Sequence, residues 1–242
     1  MDNLESEFGL KPRDKLKKIV EEISQSLDLE DMHIELASDE RSDDLVEFLA
    51  THFFGDEPIT KSLGIEIDEM GRNMLKQRYA QNLSLLLICD KTNEVIGCRT
   101  IIMKSQTSSV DGVRNSPVDL GQRIMTAMRF LSQKDAEMDI FEYYNVNCFA
   151  HFINLGVRND FRKKGLATKL MGAALQFLKQ IGLDNPCIKV ECSSRYSQRI
   201  CEKFGFTLLH SLLYDEYLEN GKVAISNTGD DKCCNVYVKQ LN

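Results

Sequence analysis

The 242-residue sequence has no apolar run long enough to cross a bilayer. Its first ten residues, which include Asp2, Glu5 and Glu7, hold no basic start followed by an apolar stretch, so neither a membrane span nor a secretory signal is expected. Positive charge is not in excess: 30 Lys and Arg against 37 Asp and Glu leave a formal net charge of -7. That balance excludes wholesale binding to nucleic acid or to an anionic membrane, and any anion site must be local. The eight cysteines, Cys89, Cys98, Cys148, Cys187, Cys192, Cys201, Cys233 and Cys234, form no CxxC pair, and several sit in apolar runs. Buried, reduced thiols are expected rather than a disulfide or zinc framework, with a reducing cytoplasm as the compartment. The four histidines, His33, His52, His151 and His210, lack metal-ligand spacing, so no metal is required and His151 is expected to be a satisfied core residue. Internal repeats and low-complexity segments are missing, as are a Walker loop and a three-glycine dinucleotide fingerprint.

What is present is an ordinary globular composition, 43% apolar and 28% charged, at a length that suits one domain. Leu16, Val20, Ile23 and Leu27 fall at helical spacing and predict an amphipathic helix over 11–27, part of an amino-terminal extension (1–31) that is either packed or a mobile arm. The main domain, 32–242, opens with a short strand over 33–36 and a helix over 43–54 that Pro58 should end. A second helix over 66–80 precedes two Leu/Ile/Val-rich runs, 83–89 and 95–103, joined by KTNE as a hairpin. From 104 to 147 the pattern is turn-rich and predicts an irregular insertion, with helical possibilities at 120–130 and 136–144. A buried strand (148–157), a helix (165–181), a strand (186–192), a helix (195–204) and two closing strands (207–215, 235–241) complete the chain. The order predicts an α/β or α+β single mixed sheet with a βαβ crossover at its centre.

The sharpest local feature is the turn Arg162, Lys163, Lys164, Gly165, Leu166, Ala167, Thr168 between a strand and a helix. Free amides at a helix start, together with the positive end of the helix dipole, suit phosphate oxygens. Gly165 permits close approach of a ligand and the three cations attract it, although a basic loop before a helix also arises simply as a solvated turn.

LGVRNDFRKKGLATKL resembles motif A of the GNAT acetyltransferase superfamily, and CSSRYSQRICEKFGF resembles the second block of that superfamily. HFFGDEPITKSLG, with SSRYSQRICEKFGF, is similar to the insect-type arylalkylamine N-acetyltransferases, and the likeness runs from about His33 to Leu241. The resemblance implies a GNAT fold, in which a central mixed β-sheet with splayed central strands is flanked by helices. It implies acetyl-CoA as co-substrate, with the backbone of Leu155, Gly156 and Val157 on the pantetheine arm and thioester. Lys163 to Thr168, preceded by Arg162, would hold the pyrophosphate, and the Val157 N–H would face the developing oxyanion.

In that subfamily the glutamate of DEP, here Glu57, serves as general base, and serines matching Ser193 and Ser197 assist. An aliphatic amine of pKa about 10 lies roughly 4 kcal/mol on the protonated side at pH 7, a deficit that a base must help to overcome. Many superfamily members place a tyrosine, the thiolate's acid, where this chain has Cys201. Ser197 is the first substitute, as a relay, with Ser193 and Tyr196 behind it. The expected partner is a small-molecule amine, with no nucleic acid and no membrane. The competing readings are a peptide or protein N-acetyltransferase, a catalytically silent acyl-CoA-binding module, and a nucleotide-binding scaffold; the oligomeric state is open.

Overall fold

A computed structural model describes residues 2–106, 121–133, 139–183 and 185–241. Helices α1 (Asp2–Phe8) and α2 (Arg13–Ser26) lead to strand β1 (Met32–Leu36), followed by α3 (Ser42–Phe48), α4 (Pro58–Leu63) and α5 (Glu69–Arg78). The hairpin β2 (Leu85–Cys89) and β3 (Val95–Ser105) comes next, then α6 (Gly121–Ser132) and α7 (Ile140–Tyr144). The βαβ unit consists of β4 (Cys148–Val157), α8 (Leu166–Gln180) and β5 (Cys187–Cys192). After α9 (Arg195–Lys203) the chain closes with β6 (Thr207–Leu213), a two-residue ribbon of β7 (Leu218–Glu219) and β8 (Lys222–Val223), and β9 (Cys233–Gln240).

Seven strands form one mixed sheet in the order β1-β2-β3-β4-β5-β9-β6. Every neighbouring pair is antiparallel except β4 and β5, whose parallel pairing requires the crossover that α8 supplies. Both faces of the centre are covered, which is why β2 reads as the unbroken apolar run LLLIC. On one face Leu85, Leu87, Phe152, Ile188 and Val190 share a core with Leu16, Val20 and Ile23 of α2 and Leu170, Ala174 and Phe177 of α8. On the other face Leu86, Ile88, Cys98 and Ile102 meet Leu45, Phe48 and Leu49. The predicted amphipathic helix is therefore packed rather than a mobile arm.

The parallel ladder is short. It joins Ala150 to Ile188, His151 to Lys189 and Phe152 to Val190, and then stops. Beyond that point β4 stays with β3, where the register shifts between Arg99 and Ile101, while β5 follows β9 as far as Cys192 opposite Asn235. The two central strands thus part at their carboxyl ends, as a splayed sheet requires.

Two sequence expectations need correction, while the helix predicted over 43–54 holds in extent. The helix predicted over 43–54 is α3 continued by a wide five-residue π turn, Leu49–Phe53, and it is Gly55 and Asp56 that follow its end. Pro58 opens α4 instead of ending a helix: its fixed φ and missing N–H suit the first helical position, and the restriction it imposes on Glu57 produces an extended cap residue. The 104–147 segment is not wholly irregular, since Phe130 of α6 is buried with Leu212, Tyr214 and Val236. Its turn-rich portions at 107–120 and 134–138 lie outside the described residues.

Two glycines report on this packing. A Cβ on Gly156 would stand 2.9 Å from the Phe53 ring and 3.3 Å from that of Phe48, whereas one on Gly172, inside α8, would meet Phe204 at an ordinary 3.5 Å. Denaturant unfolding is expected to show Gly156→Ala destabilised by about 1–3 kcal/mol through overpacking. Gly172→Ala is expected to be stabilised by about 0.5–1 kcal/mol through helix propensity.

Candidate active site

Helix α8 begins on Gly165, which is left-handed at φ 74° and lacks any side-chain cap. Lys163, two residues earlier, is also left-handed at φ 64°, so the turn coils into a concave row of amides. Apart from its own chain neighbours, no described residue comes within 4 Å of where a Gly165 side chain would begin. The first amides of this 15-residue helix have neither an intrahelical acceptor nor a side-chain cap. Lys163 and Lys164 are exposed, and Lys164 lies over the Phe161 ring. Leu166 is buried in the core and anchors the helix start, while Ala167 and Thr168 are half-buried beside it. The cation set is not uniformly available. The Arg162 Nε donates to the Val157 carbonyl at 2.8 Å and its Nη1 pairs with Asp56 at 3.0 Å.

That pair ties the α8 turn to the loop preceding α4. Phe53 lies against Gly156 from the same side, so the loop docks beside the carboxyl end of β4. Glu57 is the N-cap of α4: Oε1 accepts from the Ile59 N–H at 3.1 Å, and Oε2 accepts from the Thr60 N–H at 2.7 Å and the Thr60 hydroxyl at 2.5 Å. A carboxylate offers about four acceptor sites, so these three donors leave Oε1 with about one free. Tyr214 packs in one cluster with Ile59 of α4, and its hydroxyl donates to the Ser193 carbonyl at 2.6 Å. Burial first, then the charges of Cys234, Glu57 and Asp231, push the Tyr214 phenol far above its ordinary value.

The serines occupy the start of α9. Ser194 is the N-cap, and the Ser197 hydroxyl donates to the Ser194 carbonyl at 2.8 Å and lies 3.1 Å from the Ser194 hydroxyl. Ser193 is half-buried directly after β5. Tyr196 is 63% exposed and faces Arg195. Cys201 is fully buried, with its Sγ 3.4 Å from the Sγ of Cys192.

Beneath the splay, on the face opposite α8, His151 Nε2 lies 2.5 Å and Lys189 Nζ 3.0 Å from the two oxygens of Glu191. Burial alone would raise the Glu191 carboxyl, but His151 and Lys189 outweigh it and hold the group far below the ordinary carboxylate range. His151 is thus a satisfied interior residue, as its sequence context suggests. Arg99 of β3 is 2% exposed, its guanidinium 4.2 Å from the centre of the Phe152 ring.

Leu155, Gly156 and Val157 line the splayed end of β4, Arg162 to Thr168 form the turn beyond it, and Glu57 follows Asp56 on the loop tied to that turn. Sequence reasoning missed Tyr214, Arg99 and the Cys192–Cys201 contact. An arginine inside an otherwise apolar strand, VIGCRTII, was the available signal for the second of these. Among the described residues no cluster has the makings of a metal site, and no helix is long and apolar enough to cross a membrane.

A bare helix N-terminus at the mouth of a splayed mixed sheet suits a phosphate-bearing ligand. The chain belongs to the acetyltransferase (GNAT) family, whose model matches residues 49–206, and it is an N-acetyltransferase. Solved structures share the fold. Arylalkylamine N-acetyltransferase 2 from Aedes aegypti is 21% identical at a TM-score of 0.79, covering 88% of this chain and 100% of its own. The Drosophila melanogaster polyamine N-acetyltransferase, which catalyses formation of N-acetylagmatine, is 19% identical at a TM-score of 0.75, with 87% and 100% covered. A mosquito arylalkylamine N-acetyltransferase-like 5b is 16% identical at 0.76, with the same coverage.

The Glu191 cluster makes a pH signature. Because the folded carboxyl is depressed, its stabilisation is complete above the unfolded value of about 4.3 and is lost as pH falls below it. Urea midpoints are expected to place wild type above Glu191→Gln at pH 7, by about 3–5 kcal/mol for breaking a buried pair, with the gap narrowing below pH ~4.

Proposed function

We propose that the chain transfers an acetyl group from acetyl-CoA directly to the primary amine of a small molecule, of arylalkylamine or polyamine type, with Glu57 as general base. The observation that carries this is the uncapped, glycine-opened start of α8 at the point where β4 and β5 part. Residues 162–168 would take the pyrophosphate, and the backbone of Leu155, Gly156 and Val157 would take the pantetheine arm, with the Val157 N–H turned to the oxyanion.

The free acceptor site on Glu57 Oε1 suits a proton drawn from the amine directly or through one water. The tether from Asp56 to Arg162 supports this, because it holds the loop carrying the base against the turn carrying the diphosphate. Ser193 and Ser197 serve best as relays, given that the Ser197 hydroxyl already donates to Ser194. The acidic side chains near the Glu57 loop, Asp56 and Asp231, suit a cationic acceptor. The fold of small-amine acetyltransferases favours such acceptors over a peptide amine. Residues 32–242 form the catalytic domain, with 1–31 an extension packed on it, and six buried thiols suit a reducing cytoplasm.

An assay of CoA thiol release across arylalkylamines, agmatine-like polyamines and short peptides tests the reading. Glu57→Gln retains one oxygen to cap α4 while removing the base, so kcat is expected to fall about 10²- to 10⁴-fold with CoA affinity unchanged. Tight CoA binding without turnover of any amine would instead assign a silent acyl-CoA-binding module.

A further inference from the structure

The position where the resemblance expects a tyrosine acid is Cys201, so the CoA sulfur lacks its usual proton source. The same region contains a buried guanidinium with two unpartnered donors. Arg99 projects from β3 across the Phe152 ring, the last β4 residue of the parallel ladder. It reaches the surroundings of Cys192, the last residue of β5, and of Cys201 on α9. Its guanidinium therefore lies over the β4 residue after which the two strands part. Both Nε and Nη2 are buried without a hydrogen-bond partner.

The groups whose charge acts on it are Cys201, Cys192, Cys98 and Glu191, in that order. Glu191 is already held by His151 and Lys189. Cys192 is kept protonated by its hydrogen bond to Cys201 and by burial. Cys201 is drawn the other way, lowered by its hydrogen bond with Cys192 and by Arg99 itself, but its Sγ lies against Cys192 and takes no hydrogen bond from the Nε or Nη2 of Arg99. Burial lowers the guanidinium to about 10, which still leaves it cationic at neutral pH. An unpaired buried charge is costly, and such a group in a native fold calls for an explanation.

We propose that Arg99 is the counter-charge for the sulfur of coenzyme A, stabilising the thiolate as it leaves. The inference rests on the acetyl transfer proposed above. As the amine nitrogen forms its bond to the acetyl carbon, the C–S bond breaks and its electron pair stays on sulfur. The amine proton goes to Glu57, and the thiolate remains ion-paired with Arg99 until it takes a proton from solvent on release. No acid is then needed at Cys201, and nothing is oxidised or reduced.

The test is an ultraviolet difference titration of the bound thiol, in which the complex with CoA is compared with the complex with desulfo-CoA so that the protein's own cysteines cancel. An opposite charge in contact lowers a pKa by about 1–3 units. In wild type the bound CoA thiol is expected to ionise at least tenfold more readily than free CoA. Arg99→Met should abolish that shift with CoA affinity within a few-fold, and Arg99→Lys should keep much of it. A wild-type complex whose bound thiol titrates like free CoA would overturn the proposal, with no variant needed. So would an Arg99→Met protein, folded by circular dichroism, that retains the full shift. Absence of binding by both CoA and desulfo-CoA would instead overturn the acetyl-CoA reading, and this inference with it.

Discussion

The structure depends on an interrupted ladder. Three residue pairs hold β4 to β5, and after Phe152 and Val190 each strand keeps only its outer neighbour. The inner edges are then rows of backbone donors and acceptors that no strand covers, a condition that folded proteins ordinarily avoid. The parting is braced from both sides. On β4, Phe48 of α3 and Phe53 of the π turn lie against Gly156, where any side chain would press on them. On β5, pairing with β9 continues to Cys192, and α9 is pinned below by the Cys201 contact. The opening is thus a built feature of the sheet.

Charge is sorted around that opening. An acidic protein presents three consecutive cations at the start of α8, where a helix dipole and free amides already favour an anion. Asp56, Glu57 and Asp231 lie toward the other approach, where a protonated amine would be attracted. The pair between Arg162 and Asp56 joins the two regions. As a half-exposed ion pair it is worth little in stability, about 0–1 kcal/mol, and its consequence is geometric.

How far the sequence discloses this depends on the length and purity of each pattern. β4 falls at 148–157 as its apolar run indicates, and α8 and α9 agree within a residue or so, because each carries several turns or pleats of one period. The glycine-opened turn is legible for the same reason: only a few residue types suit it. Where one residue serves two rules, sequence reasoning misjudged. Pro58 both restricts its predecessor and suits a helix start, and only the packing of Ile59 against Phe130 and Leu212 shows that α4 follows it. The β7–β8 ribbon has two residues per strand, too short for any period to register. Glu57 was assigned a catalytic role by resemblance, and its capping bonds to Ile59 and Thr60 came into view only with the backbone. Arg99 was overlooked because a strand buried on both faces gives no sign of which neighbours a charge will meet.

The central claim is that the amides opening α8 hold a diphosphate. Calorimetric titration with CoA and, separately, with pantetheine, which carries the same arm without the diphosphate, tests it most directly. CoA should bind far more tightly than pantetheine, with an affinity that weakens as salt is raised. Equal affinity for the two, or no heat from CoA at all, would contradict it.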